Sequence, residues 1–174
     1  LKKKWLLLLM LVGAFGLFTA CSDKQDSTEE GIKSYLENEF NGPDKDLQKI
    51  LKDYGKTEES GNQMQSYYKD KFKPYLYGEK YQDLINTYDP LLWLQTAYAK
   101  GYKLKVKDIK VENTDSNDKT AYDFNVEVEY SKDGESAKTA KVQGLINVSD
   151  DGKIARIRNL DDGGLRDQMM SGQK

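Results

Sequence analysis

The segment from Tyr122 to Tyr130 constrains the fold more than any other. Tyr122, Phe124, Val126, Val128 and Tyr130 alternate without error against Asp123, Asn125, Glu127 and Glu129. Successive side chains of a strand point to opposite faces, so this run reads as a strand with one apolar and one wet face. Such a strand belongs in an antiparallel sheet that is covered on one side only. Neighbouring segments supply the rest of that sheet. Tyr102 to Glu112 carries Leu104 and Val106, then Ile109 and Val111. The phase slips by one residue, which predicts a bulge near Lys107-Asp108. Lys132-Asp133-Gly134 is a hairpin signal, and Val142, Gly144, Ile146 and Val148 alternate again. Asp150-Asp151-Gly152 turns the chain into a last strand, Ile154 to Leu160, with Arg156 and Arg158 on one side.

The cover comes from the first half, which reads helical. Ser27 and Glu30 have capping-box spacing, and Ile32, Tyr35, Leu36 and Phe40 follow one helix face. Asn41-Gly42-Pro43 stops that helix. Leu47, Ile50, Leu51 and Tyr54 mark a second one, which Gly55 ends. Ser60 and Gln63 are a second capping pair before Met64, Tyr67, Tyr68 and Phe72, and a short helix with Tyr81, Leu84, Ile85 and Tyr88 follows. Asp89-Pro90 is a start signal, with Asp89 as N-cap and Pro90 in the first helical position. Leu91 to Tyr98 is the most apolar of these helices, and Gly101 closes it. Helices first and strands second is an α+β order. The expected fold is N-terminal helices packed on a C-terminal, curved antiparallel sheet of about four strands. The expected layout is one domain over 31–160, preceded by a polar, flexible tether over 21–30. A disordered tail is expected over 161–174.

Composition removes several kinds of chemistry. The chain has no His and one Cys. That excludes imidazole bases, Ser-His-Asp and Cys-His nucleophile systems, Cys-rich zinc sites and an intrachain disulfide. The formal charge of −2 disfavours nucleic acid as a partner. No Gly-rich phosphate loop and no EF-hand spacing occur, so no cofactor and no metal are expected.

The N-terminus reads as an address. Lys2, Lys3 and Lys4 precede the apolar run from Trp5 to Phe18. That run falls short of the roughly 20 residues that cross a bilayer, and it fits a signal peptide over 1–20. It ends in Phe18-Thr19-Ala20-Cys21, which holds the chain's single Cys. This pattern resembles the lipobox of bacterial lipoproteins. The resemblance implies that diacylglycerol is attached to the Cys21 thiol, that the peptide before it is removed, and that palmitate-type chains anchor the protein. Two or three acyl chains on one residue give stable attachment where a single chain does not. The implied location is the extracytoplasmic face of the cell membrane, with the lipid as the membrane contact.

The order of elements from Ser27 to Leu160 resembles the nuclear transport factor two-like superfamily, the cystatin-like α+β cone. Small lipoproteins of Gram-positive bacteria are similar in layout. Members often carry a short strand between helices, and Tyr75-Leu76-Tyr77 is the segment available for it. The resemblance implies either a binding module or, in its ketosteroid isomerase and scytalone dehydratase branches, an enzyme using carboxylates and Tyr. Asp89 or Asp123 beside a Tyr would then be the acid, although Asp89 already serves as a cap and Asp123 falls on a wet strand face. No residue is marked as catalytic. Most of the twelve tyrosines fall between Tyr67 and Tyr102. Tyr67, Tyr68, Tyr81 and Trp93 are the candidate lining of a ligand pocket, against the simpler reading of these rings as core. Arg156 and Arg158 offer an anion site or ordinary pairing with surface acids. The sequence reading is a lipid-anchored, non-enzymatic binding module for a small ligand or protein partner. A carboxylate–Tyr isomerase or hydrolase and an accessory domain of an envelope assembly are the alternatives.

Overall fold

The computed structural model describes residues 19–78, 81–115 and 118–171, with only the backbone described at 19–24, 115 and 118. The signal-peptide run and Phe18 of the lipobox lie outside the described residues. The fold is α+β, with helices in the N-terminal half and a sheet in the C-terminal half. Four antiparallel strands run in simple meander order: β1 (Tyr102–Asp115), β2 (Asp118–Lys132), β3 (Lys138–Val148) and β4 (Ile154–Asp161). The bulge falls where the phase slip placed it, between Val106 and Asp108.

Tyr122, Phe124, Val126, Val128 and Tyr130 are all buried, while Asp123, Asn125 and Glu127 face water. Gly144 interrupts the apolar face of β3 for a steric reason. It stands opposite Phe124, and a Cβ there would lie 2.9 Å from the Phe124 ring. The wet face is a charged surface. Lys105 stands in register with Glu129 and Glu127 with Lys141, and Lys107 pairs with Glu129 at 3.3 Å.

The buried face is covered by α1 (Thr19–Phe40) and α5 (Leu92–Lys100). Ile32, Tyr35, Leu36 and Phe40 of α1 are each at most 1 % exposed. The other helices are α2 (Lys45–Asp53), α3 (Glu58–Lys71), α4 (Tyr81–Thr87) and α6 (Leu165–Ser171). Asp44 caps α2 by accepting from the Leu47 N–H at 2.8 Å. Gly101, at φ +77°, ends α5 in the left-handed conformation that glycine adopts cheaply. Each edge strand gains one extra pairing. Gly42 exchanges two hydrogen bonds with Leu104 of β1, and Leu76 forms a parallel bridge to Ile154 of β4. The Tyr75–Tyr77 segment is thus a single bridge in place of a short strand.

Several sequence expectations are corrected. The tether over 21–30 is helical: α1 runs through it without a break, and Ser27 lies inside the helix instead of capping it. Thr28 is buried there, against the turn at Gly152. Thr57, and not Ser60, caps α3, by accepting from the Ser60 N–H at 3.1 Å. The first turn after Asp89 is irregular, so α5 starts at Leu92 and not at Pro90. Asp89 still accepts from the Leu91 N–H at 2.9 Å. The expected tail from Asp161 instead carries α6, which buries Leu165 and Met169. Two side-chain hydrogen bonds pin that segment. Trp93 Nε1 donates to Asp162 at 3.1 Å, and the Tyr130 hydroxyl donates to Gln168.

Candidate functional site

Helical periodicity brings one acid into the core. Glu39 lies four residues after Tyr35 and seven after Ile32, so it projects from the same face of α1. It is fully buried. The Tyr88 hydroxyl, just after α4, donates to its Oε1 at 2.5 Å, and the Tyr35 hydroxyl bears on the same carboxyl. Oε2 has no hydrogen-bond partner. Burial pushes the Glu39 carboxyl up to about 8, with the nearby Asp89 charge acting in the same direction and the two phenols opposing it. Glu39 is therefore mostly a neutral acid at pH 7. Burial likewise drives the Tyr35 and Tyr88 hydroxyls well above the usual phenol range, and the Glu39 carboxyl adds to this.

A second polar cluster adjoins the first. Asp89 accepts from the Tyr68 hydroxyl at 2.5 Å and from Gln95 Nε2 at 3.1 Å, besides its cap bond. Burial first, and then the Asp89 contact, raise the Tyr68 hydroxyl. Tyr68 is the link between this interior network and the surface. With Gln65, Lys69, Lys73, Tyr81 and Gln82 it lines an open groove of about 410 Å³ between α3 and α4. Lys73 Nζ lies 5.8 Å from the centre of the Tyr81 ring.

The four candidate pocket residues do not converge. Tyr68 and Tyr81 share the α3–α4 groove. Tyr67 is one residue before Tyr68, about 100° around α3. It faces a different groove of about 430 Å³ on the α2 side, with Asp46, Lys49 and Glu59. There its hydroxyl donates to Asp44 Oδ2 at 3.1 Å. Trp93 is corrected from pocket lining to core. It is 3 % exposed, with Phe40 and Tyr88 against its ring at centroid distances of 5.0 and 6.2 Å. Asp123 lies on the wet face of β2, opposite Glu112, away from these tyrosines. Arg156 and Arg158 are exposed on β4, in register with Asn147 and Leu145. Thr19, Ala20 and Cys21 belong to the first turn of α1.

Glu39 escaped the sequence reading because Phe40, the next residue, also fits the apolar stripe. Position i+7 was the available signal: an acid in phase with Ile32 and Tyr35 must be buried or must break the helix face. Chemically, a neutral buried acid held by two phenols can donate or accept a proton only if a ligand reaches it. Phe40, Phe72 and Trp93 fill the surrounding core, and the α3–α4 groove meets the network only through Tyr68. Among the described residues no group of acids or Cys is arranged to hold a metal ion, and no helix is long and apolar enough to cross a membrane. Compared with protein-family models, with curated proteins and with solved structures, the chain matches none.

Proposed function

We propose that this chain is an extracytoplasmic lipoprotein of the cone-shaped α+β type, held to the membrane by lipid on Cys21, whose domain binds a partner or small ligand without chemical turnover. The observation that carries the anchor is positional: the single Cys follows Phe18-Thr19-Ala20 directly, after a basic start and a short apolar run. Support for binding over catalysis comes from Glu39. Its carboxyl is the buried acid among the described residues, and the lining of the α3–α4 groove includes Tyr68 but not Glu39. The open groove at Tyr68 and Tyr81, with Gln65, Lys69 and Gln82 on its walls, offers polar groups to a small ligand. The charged wet face of the sheet argues against a large apolar docking surface there, and so against an envelope-assembly role through that face.

The isomerase or hydrolase reading draws on one observation, the Glu39 carboxyl between Tyr35 and Tyr88. It requires a path from the α3–α4 groove past Tyr68. Metabolic labelling with radioactive palmitate tests the anchor. Label is expected in the wild-type chain and is expected to vanish in Cys21→Ala. Absence of label from the wild type would overturn the proposal.

A further inference from the structure

An anchored domain on a polar spacer would swing freely, but the residues after Cys21 are not a spacer. They form the first turns of α1, which continues unbroken to Phe40. We propose that α1 is a rigid mount that stands the domain on the bilayer, with one defined end facing the lipid headgroups. This rests on the reading that Cys21 carries lipid.

The ends of α1 identify which end of the domain that is. Nearly halfway along α1, Thr28 is buried, and its Oγ1 would sit 2.4 Å from a Cβ placed on Gly152 in the β3–β4 turn. The charge of Glu29 acts on Tyr122, close to the start of β2. Beyond its other end, Gly42 pairs with Leu104 at the start of β1. So α1 runs along the sheet, antiparallel to β1. The 149–153 turn, the end of β1 and the start of β2 lie at its lipid end, and the 133–137 hairpin lies at the far end.

Cys21 precedes Thr28 by seven residues, a rise of about 10 Å as helix. The same stretch as coil reaches up to about 25 Å and in any direction. Nucleation is the costly step of helix formation. The packed turns from Thr28 to Phe40 already meet it, so extension back to Cys21 needs only propagation. Gln25 Nε2 donates to Glu29 at 3.2 Å across one of those turns. Charge does not hold this end down. The segments at this end carry Asp23, Asp26, Glu29, Asp150 and Asp151 against Lys24, Lys119 and Lys153, so an anionic surface gains no net attraction there. The covalent helix sets the orientation, and the orientation is therefore insensitive to salt.

The test uses the lipidated protein, purified from bacterial membranes and reconstituted in phosphatidylcholine vesicles that contain a headgroup-labelled quencher lipid. A thiol-reactive fluorophore is placed at Asp151→Cys or, separately, at Glu135→Cys. Intact mass first reports whether Cys21 carries diacylglycerol. Strong quenching at 151, with none resolved at 135 and no change between low and high salt, is expected. A double variant, Gln25→Pro with Asp26→Gly, breaks α1 ahead of Thr28 and is expected to erase the difference. Lipid on Cys21 with equal quenching at both sites overturns the mount while the anchor stands. So does a difference that survives in the double variant. An unmodified Cys21 overturns the anchor itself.

Discussion

Glu39 and Asp44, like Asp89, accept hydrogen bonds from tyrosines, and the surroundings of the first two send them in opposite directions. Glu39 sits in the core, with Tyr88 and Tyr35 against it and, among the described residues, no cation beside it and no partner for one of its oxygens. Asp44 sits at the start of α2, about 40 % exposed. Burial also pushes Asp44 upward, but the Leu47 N–H, Lys71 at 3.3 Å and the Tyr67 hydroxyl outweigh it and hold the carboxyl below its usual value. The phenol alone does not decide the protonation state of either acid. A cation, a backbone donor and access to water do.

The largest expected effect lies at Glu39. Its pKa in the folded chain, about 8, exceeds the ordinary value of 4.5, so the folded state holds the proton more tightly than the unfolded state does. The stabilisation this gives is complete below pH 4.5 and is lost as pH rises toward about 8. At about 1.36 kcal/mol per pH unit the full window amounts to something on the order of 5 kcal/mol. Glu39→Gln keeps the shape and cannot ionise. Urea denaturation at pH 5, 7 and 9 is expected to show the wild type weakening across this range and the Gln variant holding nearly level, and so more stable at pH 9. Equal slopes for the two proteins would remove the contrast between the two acids.

Tyr88→Phe comes next. It strips Oε1 of its donor and leaves a buried carboxyl oxygen bare, at a cost of about 1–3 kcal/mol. It is also expected to move the pH-dependent loss of stability to a higher pH, because one of the groups favouring the ionised form is gone. A stability curve that keeps its midpoint would show that the Tyr88 hydrogen bond does not favour the ionised form of Glu39.

Asp44→Ala is expected to cost about 1 kcal/mol through the lost helix cap. Its pH signature has the opposite sign. A depressed carboxyl contributes stability that is present above its ordinary pKa of 3.8 and is lost as pH falls below it. The variant and the wild type should therefore converge in acid, and divergence there would contradict the pairing with Lys71. The smallest effect belongs to Tyr67→Phe, expected to cost under about 1 kcal/mol at this half-exposed site. A loss as large as that of Tyr88→Phe would mean that the two sites are not so different.

Much of the scaffold was legible in the residues themselves. The alternation through Tyr130 fixed the buried face of β2, and the slip after Val106 located the bulge. Gly101 marked a helix end through its local chemistry. The site was less legible. Tyr67 and Tyr68 look equivalent in sequence, yet they face different grooves because adjacent helical residues diverge by about 100°. The C-terminal helix hid behind Gly163-Gly164, although Leu165 and Met169 stand at helical spacing; two apolar residues show their value only once α5 is there to receive them.

Period, turn chemistry and charge are local properties, and they determined most element types and the wet and dry faces. Tertiary structure decided everything that depends on what lies opposite. Ser22 to Glu30 holds no hydrophobe, and still it is helix, because Thr28 meets the Gly152 turn and the packed turns behind it carry the nucleation cost. Glu39 has the same side chain as its exposed neighbour Glu37, but only the enclosing core removes its water and, with it, its charge.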